Sequence, residues 1–542
     1  MSVISQKNEV EKHGLETGED QTARPDQQGN ASHIDDPEVS AFYRDSISEA
    51  YRLKSELVAQ HLSQIGMGRF QYILFIVTGF GWIVDNFWSQ GITAVRPPVA
   101  NEFTDISRQS FSSVAYYAGL IIGASFWGIT ADIIGRKPAF NATIFIGGIF
   151  ACAVAGTQNF VAFCALWACI GTAAGGNVPV DSIIFLEFVP QAYQWLLVSL
   201  SAWWNFGQLI VALLSWVFLA NYACSSAEAP CAARDNMGWR YIMITLGALA
   251  IAFGIIRIFV FRIPESPRYL LSRGRDAEAV DAVNYIARYN GKPETLTLPM
   301  LEEIDNELAT PNTIIERTPQ PTQNIMLSIK TPRNTDTGYT SATYHKLFST
   351  RKMAQHTSIT FLIWLTIGIA YPLYFAFITS YLEANSSYSA DSSLNHTYMV
   401  YCIVSAAGVA GPITAGFGVE TRLGRRWMMG ISAILTGIFL FAYTAIKTEA
   451  GDIGLQCATG VLGNFEYAVM FAFTPESFPG PIRGTGTGIA AMLHRIGGLV
   501  ASLISTYSGY TAVPIYASAA LWVVVGLICF GLPYETHGHA SI

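Results

Sequence analysis

An acidic side chain inside an apolar run is costly to keep in a membrane and usually serves a function. Asp85 stands in "GWIVDNFWSQG", about 14 residues into a run that starts near 71 and so past the middle of a membrane helix rising about 1.5 Å per residue. Trp82 and Trp88 lie three residues to either side and share its face. Indoles on that face disfavour the charged form, so Asp85 can load and release a proton. The competing reading is a static carboxylate held by polar groups of neighbouring helices. Asp181, in "GTAAGGNVPVDSIIFLEFVP", is the second proton-coupling candidate; it follows Gly175, Gly176, Asn177 and Pro179, which let a helix bend and another backbone approach. Substrate contacts are expected from Trp88 and from clusters of ring and amide side chains at helical spacing. These are Trp204, Asn205 and Gln208; Tyr371 and Tyr374; and Asn464 and Tyr467, with Glu466 between them. Such rings more often pack than bind, but their joint bias suits a small, flat or amphipathic substrate. His494 and Arg495 fit the positive charge an anion needs, although Arg495 also fits a structural partner for an acidic residue.

A second kind of chemistry is repeated. Residues 128–137 read "GITADIIGRK" and 416–426 read "GFGVETRLGRR". Each is a short basic turn between apolar runs, with an acid about one turn before an arginine: Asp132 before Arg136, and Glu420 before Arg425. The acid can pair with the arginine or cap a neighbouring helix, so the turn can hold two helices in one state and release them in another. A topogenic basic turn with no moving part is the plainer reading; duplication favours the gate. Glu187 and Glu476, near the same boundary, are expected to pair with Arg136, Arg425 or neighbouring basic groups as part of it.

These side chains need a membrane scaffold. The 542 residues are 51% hydrophobic and 13% charged, with a mean hydropathy of +0.34, values foreign to ordinary soluble proteins. Apolar runs long enough to span stand at roughly 71–95, 111–131, 139–158, 160–189, 195–220 and 239–262, then at 356–382, 397–419, 427–446, 452–475, 484–507 and 511–532. The expected fold is therefore an all-α membrane protein of twelve transmembrane helices in two six-helix halves, at 69–263 and 356–532. A cytosolic tail with an amphipathic helix (1–68) precedes them, a central loop (264–355) joins them and a short tail (533–542) follows. The helix, within "DSISEAYRLKSELVAQHLSQ", is expected on the inner membrane surface, and one or two small helices are expected before Gly291 in the central loop. Arg262, Arg268, Arg273, Arg275, Lys346, Arg351 and Lys352 flank helix ends on the side of the central loop. Positive residues resist translocation, so that side and both termini are read as cytosolic. Asn385 and Asn395 open "NSS" and "NHT" on the other side and are candidate glycosylation sites. Cys224 and Cys231 share a loop there, where a bridge and two free thiols both fit.

Further motifs are "GWR" from Gly238, "PESPRYL" from Pro264, "PESFPGPIRGTGTG" from Pro475 and "LPYETHG" from Leu532. With the two basic turns, they make the chain resemble the major facilitator superfamily and its sugar porter-like branch over nearly its whole length. The resemblance implies the major facilitator fold, alternating access and, for the fifth helix, a substrate glutamine near Gln208. Sugar porters carry an arginine in the fourth helix and a glutamine pair in the seventh. Here 160–189 has no arginine and "FLIWLTIGIAYPLYFAF" no glutamine, which would leave sugar hydroxyls unpaired at about 1–3 kcal/mol each. The fourth helix looks instead like the niacin permease and synaptic vesicle glycoprotein group, which implies small organic ions such as nicotinate.

The expected function is a proton-coupled importer of a small organic ion in the plasma membrane. Efflux of a metabolite, sugar transport or a non-transporting nutrient receptor are the alternatives. No nucleophile with its base, metal-ligand cluster or phosphate-cradling loop stands outside the apolar runs, so neither an enzyme, a cofactor nor a metal site is expected. The net charge of −7 is spread over tails and loop and points to no nucleic acid. The expected partners are the substrate, protons and the lipid bilayer, with the chain a monomer.

Overall fold

The computed structural model describes residues 49–103, 109–134, 136–224, 231–309, 345–375, 394–421, 423–445, 448–508 and 513–535; the side chains of 128, 129, 131–134, 136, 137, 139, 178, 179, 309, 480, 481 and 508 are not among those described. Six membrane helices form the first half. They are the first (Arg69–Phe103), second (Phe111–Ile134), third (Arg136–Val154), fourth (Phe160–Ala174 and Asn177–Phe188), fifth (Leu196–Leu200 and Ala202–Tyr222) and sixth (Gly238–Ile255, continued by a π turn Ile256–Val260). Six more form the second: the seventh (Arg351–Tyr374), eighth (Leu394–Gly408 and Ala410–Gly418), ninth (Gly424–Tyr443), tenth (Glu449–Ser477), eleventh (Gly480–Ser508) and twelfth (Val513–Cys529). Among the described residues, seven are by length and apolarity alone sufficient to cross a bilayer. The tenth is long enough but carries Asp452, Glu466 and Glu476. The fourth breaks at Gly175–Gly176, where the sequence has its glycine pair.

The duplication is visible in the packing. In the first half the main pairs are first with fifth, second with fourth and third with sixth; in the second they are seventh with eleventh, eighth with tenth and ninth with twelfth. The halves meet through the second with the eleventh and the fifth with the eighth, two contacts that a two-fold exchange of the halves interchanges. Facing apolar helices gain little from the hydrophobic effect in lipid, so close packing and buried polar bonds must hold them.

At the central-loop side, α1 (Glu49–Ile65), α2 (Pro267–Ser272), α3 (Asp276–Tyr289) and α4 (Leu298–Ala309) form a small cap. Ser266 accepts a bond from the Tyr269 N–H at 3.1 Å and Pro267 takes the first helical position, which is how "PESPRYL" starts a helix. One expectation changes here. The apolar stripe of α1 (Val58, Leu62 and Ile65) packs into the cap instead of lying free on a lipid surface, because Lys54 bonds Asp276 at 2.5 Å and Asp305 at 2.6 Å and His61 bonds Thr295 at 2.7 Å. The helices expected before Gly291 are α2 and α3, and α4 follows beyond it.

At the opposite side, Glu102 accepts from Trp239 at 3.0 Å and from Arg240 at 2.7 Å, and Asn236 donates to Pro98 O at 2.7 Å. "GWR" thus ties the sixth helix to the first. Cys224 and Cys231 are joined as a disulfide.

Candidate functional site

Between the halves lies a cavity of ≈ 70 Å³. The first helix brings Asp85, Ser89 and Gln90 to it, the second Tyr116, Tyr117 and Leu120, and the fifth Trp204. The second half supplies Trp364, Tyr371, Tyr467, Phe471, Ala491, His494 and Arg495. Asp85 Oδ2 accepts a long bond from Trp204 Nε1 at 3.4 Å, and Oδ1 has no hydrogen-bond partner. Arg495 acts on Asp85 electrostatically, yet among the described residues no ion pair or hydrogen bond joins the two. The couple is open.

Rings make the rest of the wall. Trp204 of the first half stacks on Tyr467 of the second, with centroids 6.0 Å apart and planes at 15°. Tyr371 sits edge-on to Tyr467 at 4.9 Å and stacks on Phe375 at 4.5 Å. Tyr467 OH bonds His494 Nε2 at 2.8 Å, while Trp364 closes on Phe471 at 4.9 Å and on His494 at 5.8 Å. On the side away from the central loop, Tyr401 OH donates to Gln90 Oε1 at 2.7 Å and Tyr398 OH to Ala94 O at 3.3 Å, so the eighth helix closes on the first.

Of the residues expected at the substrate site, Trp204, Tyr371, Tyr467 and His494 line this cavity together with Asp85. The others lie elsewhere. Trp88 is buried within the first half, with Phe87 at 6.4 Å, and Trp82 packs on Phe471 at 5.2 Å; the indole beside Asp85 is Trp204. Asn205 donates to Gly408 O at 3.0 Å, a bond between the halves. Gln208 is buried but not in the cavity wall, Tyr374 packs on Tyr443 at 5.5 Å, and Asn464 lies beside Gly408. Asp181 pairs with Arg257 at 2.7 Å instead of facing the cavity.

The second basic turn is described and the first only in its backbone; the side chains of Asp132 and Arg136 lie outside the described residues. Arg425 pairs with Glu476, at 2.8 Å between Nε and Oε2 and 3.1 Å between Nη2 and Oε1. Glu420 is exposed and makes no ion pair among the described residues. The turn's acid comes from farther away: Glu535 of "LPYETHG" accepts the Arg425 and Arg426 N–H groups at 3.0 Å each, capping the ninth helix. Gly424 has φ +72, and a Cβ there would meet the Glu535 carboxyl at 2.8 Å, so both backbone and cap require glycine. Glu187 is buried near the same side. Asn385 lies outside the described residues, and Asn395 is exposed at the start of the eighth helix, accepting from Trp216 Nε1 at 2.7 Å.

Sequence reasoning passed over Ser89, Gln90, Tyr116, Tyr117, Trp364 and Phe471. Ser89 had a signal, one turn beyond Asp85 on the same face; the tyrosine pair in an otherwise apolar second helix did not stand out.

Twelve membrane helices among the described residues, in two matching halves around a central ring-lined cavity, define a membrane transporter. The chain belongs to the major facilitator superfamily, whose family model matches residues 72–421. It is 60% identical to the Major facilitator-type transporter hxnZ of Emericella nidulans over 96% of this chain and 93% of that one. It is 24% identical to the Niacin transporter NiaP of Acinetobacter baylyi over 89% of this chain and 98% of that one. The proton:xylose symporter XylE, at 18% identity, superposes with a TM-score of 0.65 over 87% of this chain and 98% of that one, a likeness of fold. The protein is a multi-pass transporter, not an enzyme.

Proposed function

We propose that the protein is a proton-coupled importer of a small organic anion, nicotinate or a similar monocarboxylate. It works by alternating access as a monomer in the plasma membrane, with both termini in the cytosol. The observation that carries the reading is the open couple: Asp85 and Arg495 face each other across a ring-lined cavity without pairing. A substrate carboxylate entering from outside bonds the Arg495 guanidinium, the side chain built for it. Asp85 then loses its counter-charge and takes up a proton. The cavity is neutral when empty, with Asp85 negative and Arg495 positive, and neutral again when it holds the anion and a protonated Asp85. A neutral load is what a low-dielectric path favours. Binding of anion and proton thus support one another, a reciprocal coupling.

The cavity is small: ≈ 70 Å³ is less than half of the roughly 150 Å³ that holds a benzene, so the halves must part to admit even one small ring. A relative named as a niacin transporter supports nicotinate within the class. The test is uptake by cells expressing the protein, screened over labelled nicotinate, other carboxylates, pyridines and hexoses at two external pH values. Carboxylate uptake that rises as external pH falls is the expected result. Glucose uptake at a comparable rate, or carboxylate uptake indifferent to a proton gradient, overturns the reading.

A further inference from the structure

The cavity leaves one buried acid–base couple unused. Asp181 of the fourth helix and Arg257 of the sixth are 1% exposed each and lie toward the central-loop side. Arg257 Nη2 donates to Asp181 Oδ1 at 2.7 Å and Nη1 to Phe140 O at 2.8 Å, with the guanidinium against the Phe140 ring. Asp181 Oδ2 has no hydrogen-bond partner. It points at the first helix, at Gly81, where a Cβ would stand 1.7 Å from it; only glycine lets the carboxylate reach the helix backbone. Gly81 is four residues before Asp85, so the two share a face and Asp181 sits about 6 Å, one turn, nearer the central loop. The charged groups acting on Asp181 are Arg257 and Asp85.

We propose that Asp181 is the second proton station: it receives the proton that Asp85 gives up and passes it toward the cytosol. This rests on the proton-coupled reading above. When the substrate leaves, Asp85–COOH loses its proton to water entering from the cytosolic side, and that water passes one to the free oxygen of Asp181. Asp85 ends as carboxylate, ready to face Arg495, and Asp181 ends as the neutral acid. Arg257 stays charged but loses its ionic partner, so arrival of the proton loosens the fourth helix from the sixth on the side that must open. Loss of the proton to the cytosol restores the pair and draws those helices together. The station therefore ties proton exit to a change in helix packing, which Asp85, without an ion pair of its own, does not.

The experiment uses the full chain in proteoliposomes enclosing a pH-sensitive dye, with nicotinate as the probe. Substrate-driven proton entry is read beside exchange of labelled for unlabelled nicotinate. Wild-type protein without proton entry would mean that the coupled reading has failed, which separates the two claims. Given proton entry, Asp181→Asn is expected to slow it at least about tenfold while exchange at equal nicotinate on both sides stays within about twofold. Unchanged proton entry overturns the station, and so does loss of exchange together with proton entry in a folded variant, which would make the pair a static tie. Because Asp181→Asn leaves Arg257 without its ionic partner, Gly81→Ala is the second variant. It keeps both charges and displaces the free oxygen of Asp181, so it should slow proton entry and spare exchange; unchanged proton entry in that variant also overturns the proposal.

Discussion

Two acid–arginine couples sit one helical turn apart along the first helix, and they are built oppositely. Asp181 and Arg257 touch at 2.7 Å and are sealed from solvent. Asp85 and Arg495 come from different halves and line one cavity, and among the described residues no ion pair or hydrogen bond joins them. In the closed couple the two charges answer each other, so they bear on conformation and on the proton that Asp181 can take, not on a ligand. The open couple leaves each charge in want of a partner, and a ligand carrying a negative charge supplies one. The same two residue types thus make a tie when both belong to one half and a site when they straddle the halves.

The comparison breaks most readily at the open couple. Arg495→Gln removes the charge-assisted bond to the substrate, about 1.5–3 kcal/mol, and should weaken nicotinate binding about 10- to 100-fold, read as competition by unlabelled substrate; unaltered affinity would place the anion elsewhere. Asp85→Asn should abolish accumulation against a gradient and the dependence on external pH, while exchange continues, because cycling does not need net proton release. A closed couple must behave otherwise, and Arg425 with Glu476 is the accessible test. Either single glutamine replacement takes from a buried charge its partner in this pair, at up to about 3–5 kcal/mol, and should lower the amount of folded protein in the membrane. The double methionine variant should restore it while lowering the maximal rate and leaving KM alone. Trp204→Phe keeps the ring and loses the N–H on Asp85, a single bond of about 0.5–1.5 kcal/mol, and should move the pH profile of uptake more than its maximal rate.

The smallest effect is expected at the couple nearest water. Burial works against the Lys54 ammonium, but bonds from Asp276 and Asp305 outweigh it and hold its pKa above the ordinary 10.5. That contribution is complete below 10.5 and so does not vary near neutrality. Burial lowers the pKa of His61, so the undocked helix binds the proton better and docking of α1 weakens as pH falls below about 6.5. The protection of amides 49–65 from hydrogen exchange, taken relative to their intrinsic rate at each pH, should fall between pH 7 and pH 5 in the wild type and not in His61→Gln.

Most of the fold was legible because each span declares itself by a run of apolar residues, and the duplication by two basic turns. The site was legible where a residue is anomalous in its own helix: Asp85 in an apolar run, and His494 beside Arg495. It was not legible where the answer depends on which face a helix turns toward the other half. Trp88 and Trp204 are equally apolar and equally near a polar residue in sequence, yet one faces its own half and the other the cavity. Long-range partners were hidden for the same reason. No spacing links Arg257 to Asp181 across 76 positions, or Glu535 to the turn it caps 110 positions earlier.

The stack of Trp204 on Tyr467 carries one more consequence. With centroids at 6.0 Å, each ring occupies the place a flat ligand would take against the other, so a guest must displace that contact. A guest ring slipped between them needs about 7 Å from plane to plane, two contacts of about 3.5 Å, and so must push the two rings and their halves apart. Binding then acts as a wedge: flat guests would prise the domains and be carried, whereas two rings fused face to face on a rigid spacer would prop them open and jam the cycle.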